Sequence, residues 1–314
     1  MATVMDNQAP QAIMMVRPLH FAYNEETASS NAFQQAQGKE NVEEIRKASN
    51  LEFEACLKRL RQHDIEVIDF TPNDAFETTD EVFPNNWVSF HEDGKVILYP
   101  MLAPSRRAER RIDFITALDK NYGFVVSDII DLSHYESQGL FLEGTGSMVI
   151  DYQHKICYAN ISPRTHLQLL EKVCQILDCS CCHFRAVDEN GQDIYHTNVL
   201  MCVASKYAVV CLNAIRDETD RNKVVQSLES TGHEIVDIDY AQMSAFAGNM
   251  MEVRDQKGAS LIIMSQSAYQ SLREKQITTL EQYSQIVSVD IPTIEKYGGG
   301  SVRCMMAGIF LIRE

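Results

Sequence analysis

Short apolar runs recur along this chain at a nearly constant spacing, each opened by a small polar residue. The openers are Asn86-Trp-Val-Ser-Phe, Ser147-Met-Val-Ile, Asn198-Val-Leu-Met-Cys-Val, Asn249-Met-Met-Glu-Val and Ser301-Val-Arg-Cys-Met-Met. They begin at residues 86, 147, 198, 249 and 301, so successive starts lie 61, 51, 51 and 52 residues apart. Second runs follow: Lys95-Val-Ile-Leu-Tyr, Ile156-Cys-Tyr-Ala, Tyr207-Ala-Val-Val-Cys-Leu, Ser260-Leu-Ile-Ile-Met and Ile309-Phe-Leu-Ile. Third runs are Gly123-Phe-Val-Val, Cys182-His-Phe-Arg-Ala-Val, Glu234-Ile-Val-Asp-Ile and Gln285-Ile-Val-Ser-Val. Runs this short, rich in β-branched residues, predict strands.

Amphipathic helices are expected between second and third strands. Leu170, Val173, Cys174 and Leu177 share one helical face, with Ser162 expected as N-cap and Pro163 at the first helical position. Phe53, Cys56, Leu57 and Leu60 do the same in a helix ending near Gln62. The last module shows two runs and then the chain stops, while the N-terminal part supplies Ile13-Met-Met-Val, that helix and Glu66-Val-Ile-Asp-Phe. The two ends are therefore expected to complete one blade between them. A period near 50 residues is the signature of a radial repeat, and closing the ring removes exposed sheet edges. The predicted fold is α/β: one domain over residues 1–314, a fivefold pseudo-symmetric β/α propeller closed by its N- and C-terminal strands. Residues 25–40 are the one long stretch expected to be loop.

Bulk properties narrow the partners. The formal net charge of −16 argues against nucleic acid or an anionic membrane, both of which need clustered Lys and Arg. No apolar run approaches the roughly 18 residues of a membrane span. Nine irregularly spaced cysteines do not form a disulfide framework, and the first ten residues lack a signal-like pattern, so a reducing, cytoplasmic setting is expected. A small molecule is the expected ligand, and a homo-oligomer is compatible with the chain. Cys179-Ser-Cys-Cys-His183 does not match zinc spacing, and Gly144-Thr-Gly146 lacks the length and lysine of a phosphate loop. No metal or cofactor is expected.

If the openers converge, so does the chemistry carried near them. The glycines 298–300 predict a pinched loop leading into a strand at Val302, with Cys304 at its exposed mouth, where a nucleophilic thiol or a small buried hydrophobe would both fit. Glu143 stands just before the Ser147 opener and His196 just before the Asn198 opener. Gly-Gly-Gly-Ser-Val-Arg-Cys-Met, the Glu143-Gly element and the upstream His196 resemble the guanidino-group-modifying superfamily, in its amidinotransferase-related branch, which has the pentein-type propeller fold. Its members are amidinotransferases, arginine deiminases, dimethylarginine hydrolases and succinylarginine dihydrolases. The resemblance implies that Cys304 is the nucleophile, His196 the acid and base, and Glu143 the carboxylate that holds the substrate's nitrogens.

Arg106 and Arg164 are each expected in the first turn of a helix, where a cation opposes the helix dipole unless an anion is bound. The resemblance implies that both clamp a substrate α-carboxylate, Arg106 being preferred to Arg107. Asn86 and Asn198 stand where deiminase-like relatives tend to carry acids. Amides donate and accept but cannot neutralise a guanidinium. The expected activity is therefore cysteine-dependent C–N hydrolysis of a ureido or guanidino amino acid, with a citrulline-like substrate favoured. Arginine deiminase, dimethylarginine hydrolase and amidinotransferase activities are the alternatives, and a non-catalytic propeller that only binds is the alternative from another class.

Overall fold

Five apolar strands buried along nearly their whole length carry the architecture: Ala12–Val16, Lys95–Leu98, Ile156–Asn160, Tyr207–Val210 and Ser260–Ser265. In a computed structural model of the chain, which describes residues 8–28, 31–36, 41–72 and 77–313, each is the middle strand of a three-stranded sheet. Continuous apolar runs of this kind are what a strand covered on both faces requires.

The sheets share one pattern. Val88–Phe90, Val149–Asp151, Met201–Val203 and Met251–Arg254 pair antiparallel with the middle strand that follows them. Asp128–Asp131, Ser180–Phe184, Glu234–Asp237 and Gln285–Val289 pair parallel on its other side. The fifth sheet repeats this with a chain break. Ala307–Ile309 pairs antiparallel with Ala12–Val16, which pairs parallel with Glu66–Phe70. Both ends of the chain thus build one sheet.

Parallel pairing needs a crossover, and helices supply it. Val42–Gln62 starts with a capping box between Asn41 and Glu44 and buries Phe53, Cys56, Leu57 and Leu60. Ile112–Tyr122, Leu167–Ile176, Glu218–Ser230 and the pair Gln266–Ser271 and Glu274–Glu281 cross over in the other sheets. Among the described residues no helix is long and apolar enough to cross a membrane.

Several expected boundaries move. No strand begins at Val302: residues 301–306 form successive turns, with Cys304 N donating to Ser301 O at 2.9 Å and Met305 N to Val302 O at 3.1 Å. The Arg303 N–H is taken by Asn249 Oδ1 at 3.0 Å, so it cannot join a ladder. The last module consequently contributes one strand, Ala307–Ile309, and the run from Ile309 is not a second. The third strand of the first sheet is Asp128–Asp131 rather than the run at Gly123, which is instead the left-handed C-cap (φ 72°) of the preceding helix. Ser180–Phe184 begins two residues before Cys182. The helix with Leu170 starts at Leu167 with His166 at its N-cap, so Ser162 and Pro163 lie outside it, contrary to expectation. Within 25–40, Glu25–Ala28 is a short helix and residues 31–36 are irregular, while 29–30 and 37–40 lie outside the described residues.

Candidate active site

The glycine loop is built for close approach. Helix Pro292–Gly298 ends on Gly299, whose φ of 62° is left-handed and whose N–H reaches Glu295 O at 3.0 Å. Its neighbours are needed for space instead: a Cβ on Gly298 would lie 2.6 Å from the Phe83 ring, and one on Gly300 would lie 3.2 Å from Phe83 and 3.4 Å from Cys304 Sγ. The loop delivers Cys304 into a turn where it is only 3% exposed, so the expected exposed mouth is a buried one. Two side-chain amides converge on the sulfur, Asn198 Nδ2 and Asn249 Nδ2, each at 3.4 Å. Asn249 also donates to Asn198 O at 2.9 Å. With its hold on Arg303 N, it fixes both the turn and the other amide. Asn249 was legible only as the first residue of an opener, the repeat position that Asn198 also occupies.

Glu143 and His196 precede two helical turns, Gly144–Ser147 and Thr197–Leu200, that lead into first strands. Gly144 (φ 48°) must be glycine, since a Cβ would meet Asn85 O at 2.3 Å; a Cβ on Gly146 would strike the His196 ring at 2.8 Å. These close approaches seat Glu143 behind His196, with Nε2 2.8 Å from Glu143 Oε2. Arg164 Nη1 donates to the same oxygen at 3.3 Å, and Leu102 N donates to Oε1 at 3.0 Å. Burial disfavours the Glu143 charge, but Arg164 and His196 outweigh it and hold the carboxyl well below the usual carboxylate range. Burial dominates for His196 in spite of Glu143 and lowers its pKa to about 4. The imidazole is thus neutral near pH 7. Both oxygens of Glu143 are engaged and it is fully buried, so it faces His196 and Arg164 and does not line the cavity.

Cys304, His196, Asn86, Arg106 and Arg164 share the wall of one narrow cavity with Thr27, Asn31, Asp80, Phe83 and Tyr195. Asn198 is not on that wall and reaches the site through the sulfur. Arg106, and not Arg107, is the arginine that enters: it is buried, whereas Arg107 pairs with Glu136 at the partly exposed rim. Arg106 does lie in the first turn of a helix, but one of only two 3-10 turns, Pro104–Glu109, with little dipole to oppose, and Arg164 lies ahead of its helix, contrary to expectation. Arg106 grips Glu109 with two bonds at 2.9 and 2.8 Å and donates to Asn86 Oδ1 at 2.8 Å. Burial opposes its charge, and Glu109 and Asp80 more than offset that, raising the guanidinium above its ordinary value. Arg164 lies over the Tyr195 ring, 4.9 Å from its centroid.

Asp80 changes the electrostatic picture. The amide-based expectation counted Glu143 as the one carboxylate left for substrate donors. Instead Asp80, only 2% exposed, lies on the cavity wall with Oδ2 accepting from Asn24 Nδ2 at 2.7 Å and Oδ1 without a hydrogen-bond partner. Burial pushes this carboxyl up, and Arg106 and Asn24 pull in the opposite sense without cancelling it. The segment carrying Asn24, Thr27 and Asn31 joins the wall, Asn31 reaching Gly298 O and Gly299 O at 3.3 and 3.4 Å. Asp80 stands six residues before Asn86, outside the apolar pattern that marks that opener, and so carried no signal of its own in the sequence.

The model of the family described as N,N dimethylarginine dimethylhydrolase, eukaryotic, matches residues 17–311. No curated protein sequence matches the chain. Among solved structures, the N-terminal domain of ArgZ, an arginine dihydrolase from the ornithine-ammonia cycle in cyanobacteria, in a cysteine-to-serine mutant bound to substrate, has a TM-score of 0.70 at 18% identity, covering 96% of this chain and 99% of that one. Apo ArgZ gives 0.69 at 18% identity over 94% of this chain and 40% of that one, so the present chain spans 40% of that relative's length. A dimethylarginine dimethylaminohydrolase, in a histidine-to-glycine adduct with S-methyl-L-thiocitrulline, gives 0.64 at 17% identity over 95% and 99% of the two chains. At such identities the likeness shows a shared fold.

Proposed function

The chain belongs to the eukaryotic N,N dimethylarginine dimethylhydrolase family, and on that premise we propose that it is a cysteine-dependent hydrolase cleaving a C–N bond of a ureido or guanidino amino acid. One observation carries this reading. Cys304, with two amide donors on its sulfur, shares a cavity with His196 and with a buried carboxylate oxygen of Asp80 that has no protein partner. In this reading the five sheets are one domain, a fivefold ring closed where Ala307–Ile309 pairs with Ala12–Val16, with the openers converging at one mouth of it.

As the Cys304 sulfur attacks the central carbon of the head group, the neutral His196 takes up the thiol proton. For a ureido substrate, His196 passes a proton to the departing side-chain nitrogen, which leaves as the free amine, and a carbamoyl group remains on sulfur. Water, deprotonated by His196, displaces the sulfur, and the carbamate formed breaks down to carbon dioxide and ammonia. Each step is thereby easier than direct hydrolysis. Glu143 orients His196 and does not hold substrate. Arg164 is the cavity arginine proposed to meet the α-carboxylate, because Arg106 is gripped by Glu109 through two bonds at 2.9 and 2.8 Å whereas Arg164 meets Glu143 through one at 3.3 Å.

Within this class a citrulline-like substrate is favoured. Arg106 is matched by Glu109 and Arg164 by Glu143, so selectivity turns on Asp80. Protonated, its carboxyl donates to a ureido oxygen, a form that burial favours; ionised, it accepts from a guanidinium, and arginine dihydrolase activity is the second reading that its free oxygen would then favour. The amide of Asn86, on the cavity wall, suits the neutral head group, whereas that of Asn198 is spent on the Cys304 sulfur. The ratio of kcat/KM for citrulline to that for arginine, measured across pH, tests this preference: the ratio exceeds one and falls as pH rises through the titration of Asp80, which burial moves above the usual carboxylate range. Asp80→Asn should flatten that slope and cost arginine about 10- to 100-fold, the worth of a charged hydrogen bond. A tenfold preference for arginine at every pH would overturn the ureido assignment.

A further inference from the structure

A second carboxylate–histidine cluster lies at the other ends of the first strands. Asp151 is the last residue of Val149–Asp151 and is fully buried, and His154 stands in the turn to the next strand. His154 Nδ1 lies 3.0 and 2.9 Å from the two oxygens of Asp151, and His154 N donates to Oδ1 at 2.9 Å. His233, in the turn before Glu234–Asp237 of the neighbouring sheet, places Nε2 3.9 Å from Asp151 Oδ2 and 2.9 Å from Ala204 O. The three ligand atoms all lie within 4.8 Å of one another.

Two features point to a cation. Tetrahedral zinc with bonds of about 2.0–2.1 Å keeps its ligand atoms roughly 3.3 Å apart, and the separations of 2.9 and 3.9 Å fall on either side of that value. Proton positions add an independent constraint. Thr231 Oγ1 lies 2.9 Å from Leu228 O and 3.2 Å from Ser227 O, which direct its hydroxyl proton to the backbone. His233 Nδ1, 2.7 Å from Thr231 Oγ1, is then the donor of that contact. In that tautomer the lone pair of Nε2 faces Ala204 O and Asp151 Oδ2, and a cation between them satisfies all three; in the other, Thr231 donates to Nδ1 and Nε2 donates to Ala204 O, which is the metal-free arrangement.

We propose that Asp151, His154 and His233 bind a divalent metal ion of the zinc class, with Ala204 O or water completing the shell. Two imidazoles and one carboxylate match the borderline ligand preference of such ions. Because its ligands come from turns of two sheets, the ion ties those sheets together, and it takes no part in the chemistry at Cys304.

The test uses the full chain stripped with a chelator and titrated with Zn2+ and Co2+. One ion per chain is expected, with a rise in Tm on zinc addition and a Co2+ spectrum free of thiolate charge-transfer bands. Losing a ligand costs at least as much as losing an outer partner, so Asp151→Asn and His154→Ala should each weaken zinc at least about tenfold with kcat/KM unchanged. His154 is the most exposed of the three, so its variant carries the test if the other does not fold. Absence of binding, a thiolate band, or unchanged affinity in the variants would each overturn the assignment, leaving a proton as the species between the oxygens.

Discussion

Two carboxylate–histidine pairs of almost equal length, each with a fully buried carboxylate, sit at opposite ends of the same set of strands, and their surroundings separate their roles. Glu143 holds His196 at 2.8 Å and Asp151 holds His154 at 2.9 Å. Around the first pair stand two arginines, a cysteine flanked by amide donors and a cavity with a free carboxylate oxygen. Around the second stand another histidine and a backbone carbonyl, and the ion pairs of Asp151 are with histidines. A carboxylate beside an imidazole is therefore not a catalytic signature. What distinguishes the first end is a cationic surround that keeps Glu143 ionised, so that it can orient a ring which burial keeps neutral.

The contrast is broken most severely by Cys304→Ser, which should reduce turnover at least about 10³-fold while leaving the folded circular dichroism spectrum intact. Retained activity would move the chemistry away from the first end altogether. Next, Glu143→Gln should lower kcat by about 10²-fold, the usual share of a positioned acid–base group. Glu143 raises the pKa of His196 against burial, so its loss should also shift the acid limb of the kcat/KM profile to lower pH. A rise in KM with an unmoved limb would instead make Glu143 a substrate ligand, as the family resemblance implies. The smallest effect belongs to the other end. In metal-free protein Asp151→Asn should leave kcat/KM unchanged yet destabilise the fold by about 1–3 kcal/mol, because one of two acceptor oxygens and the charge facing the His154 and His233 imidazoles are lost. A lower denaturant midpoint with undiminished turnover would confirm the division; a parallel loss of both would erase it.

What the residue order determines by itself is whatever depends on near neighbours. Burial of a strand shows as an unbroken apolar run, and a repeated fold shows as a repeated spacing, so the five modules and the convergence of Cys304, His196 and Glu143 near their openers are legible in the residue order alone. So is the joining of the two chain ends in one sheet. The tertiary structure decided what depends on distant segments meeting. Asp80 meets Asn24 across 56 residues, Asn249 meets Cys304 across 55, and His196 meets Glu143 across 53. Hydrogen bonds and charge pairing act over a few ångströms in space and leave no periodicity along the chain. Glu143 was therefore visible as a residue but not as the partner of His196, and the strand expected at Val302 gave way because Asn249, 54 positions away, takes the Arg303 N–H that a ladder would have needed.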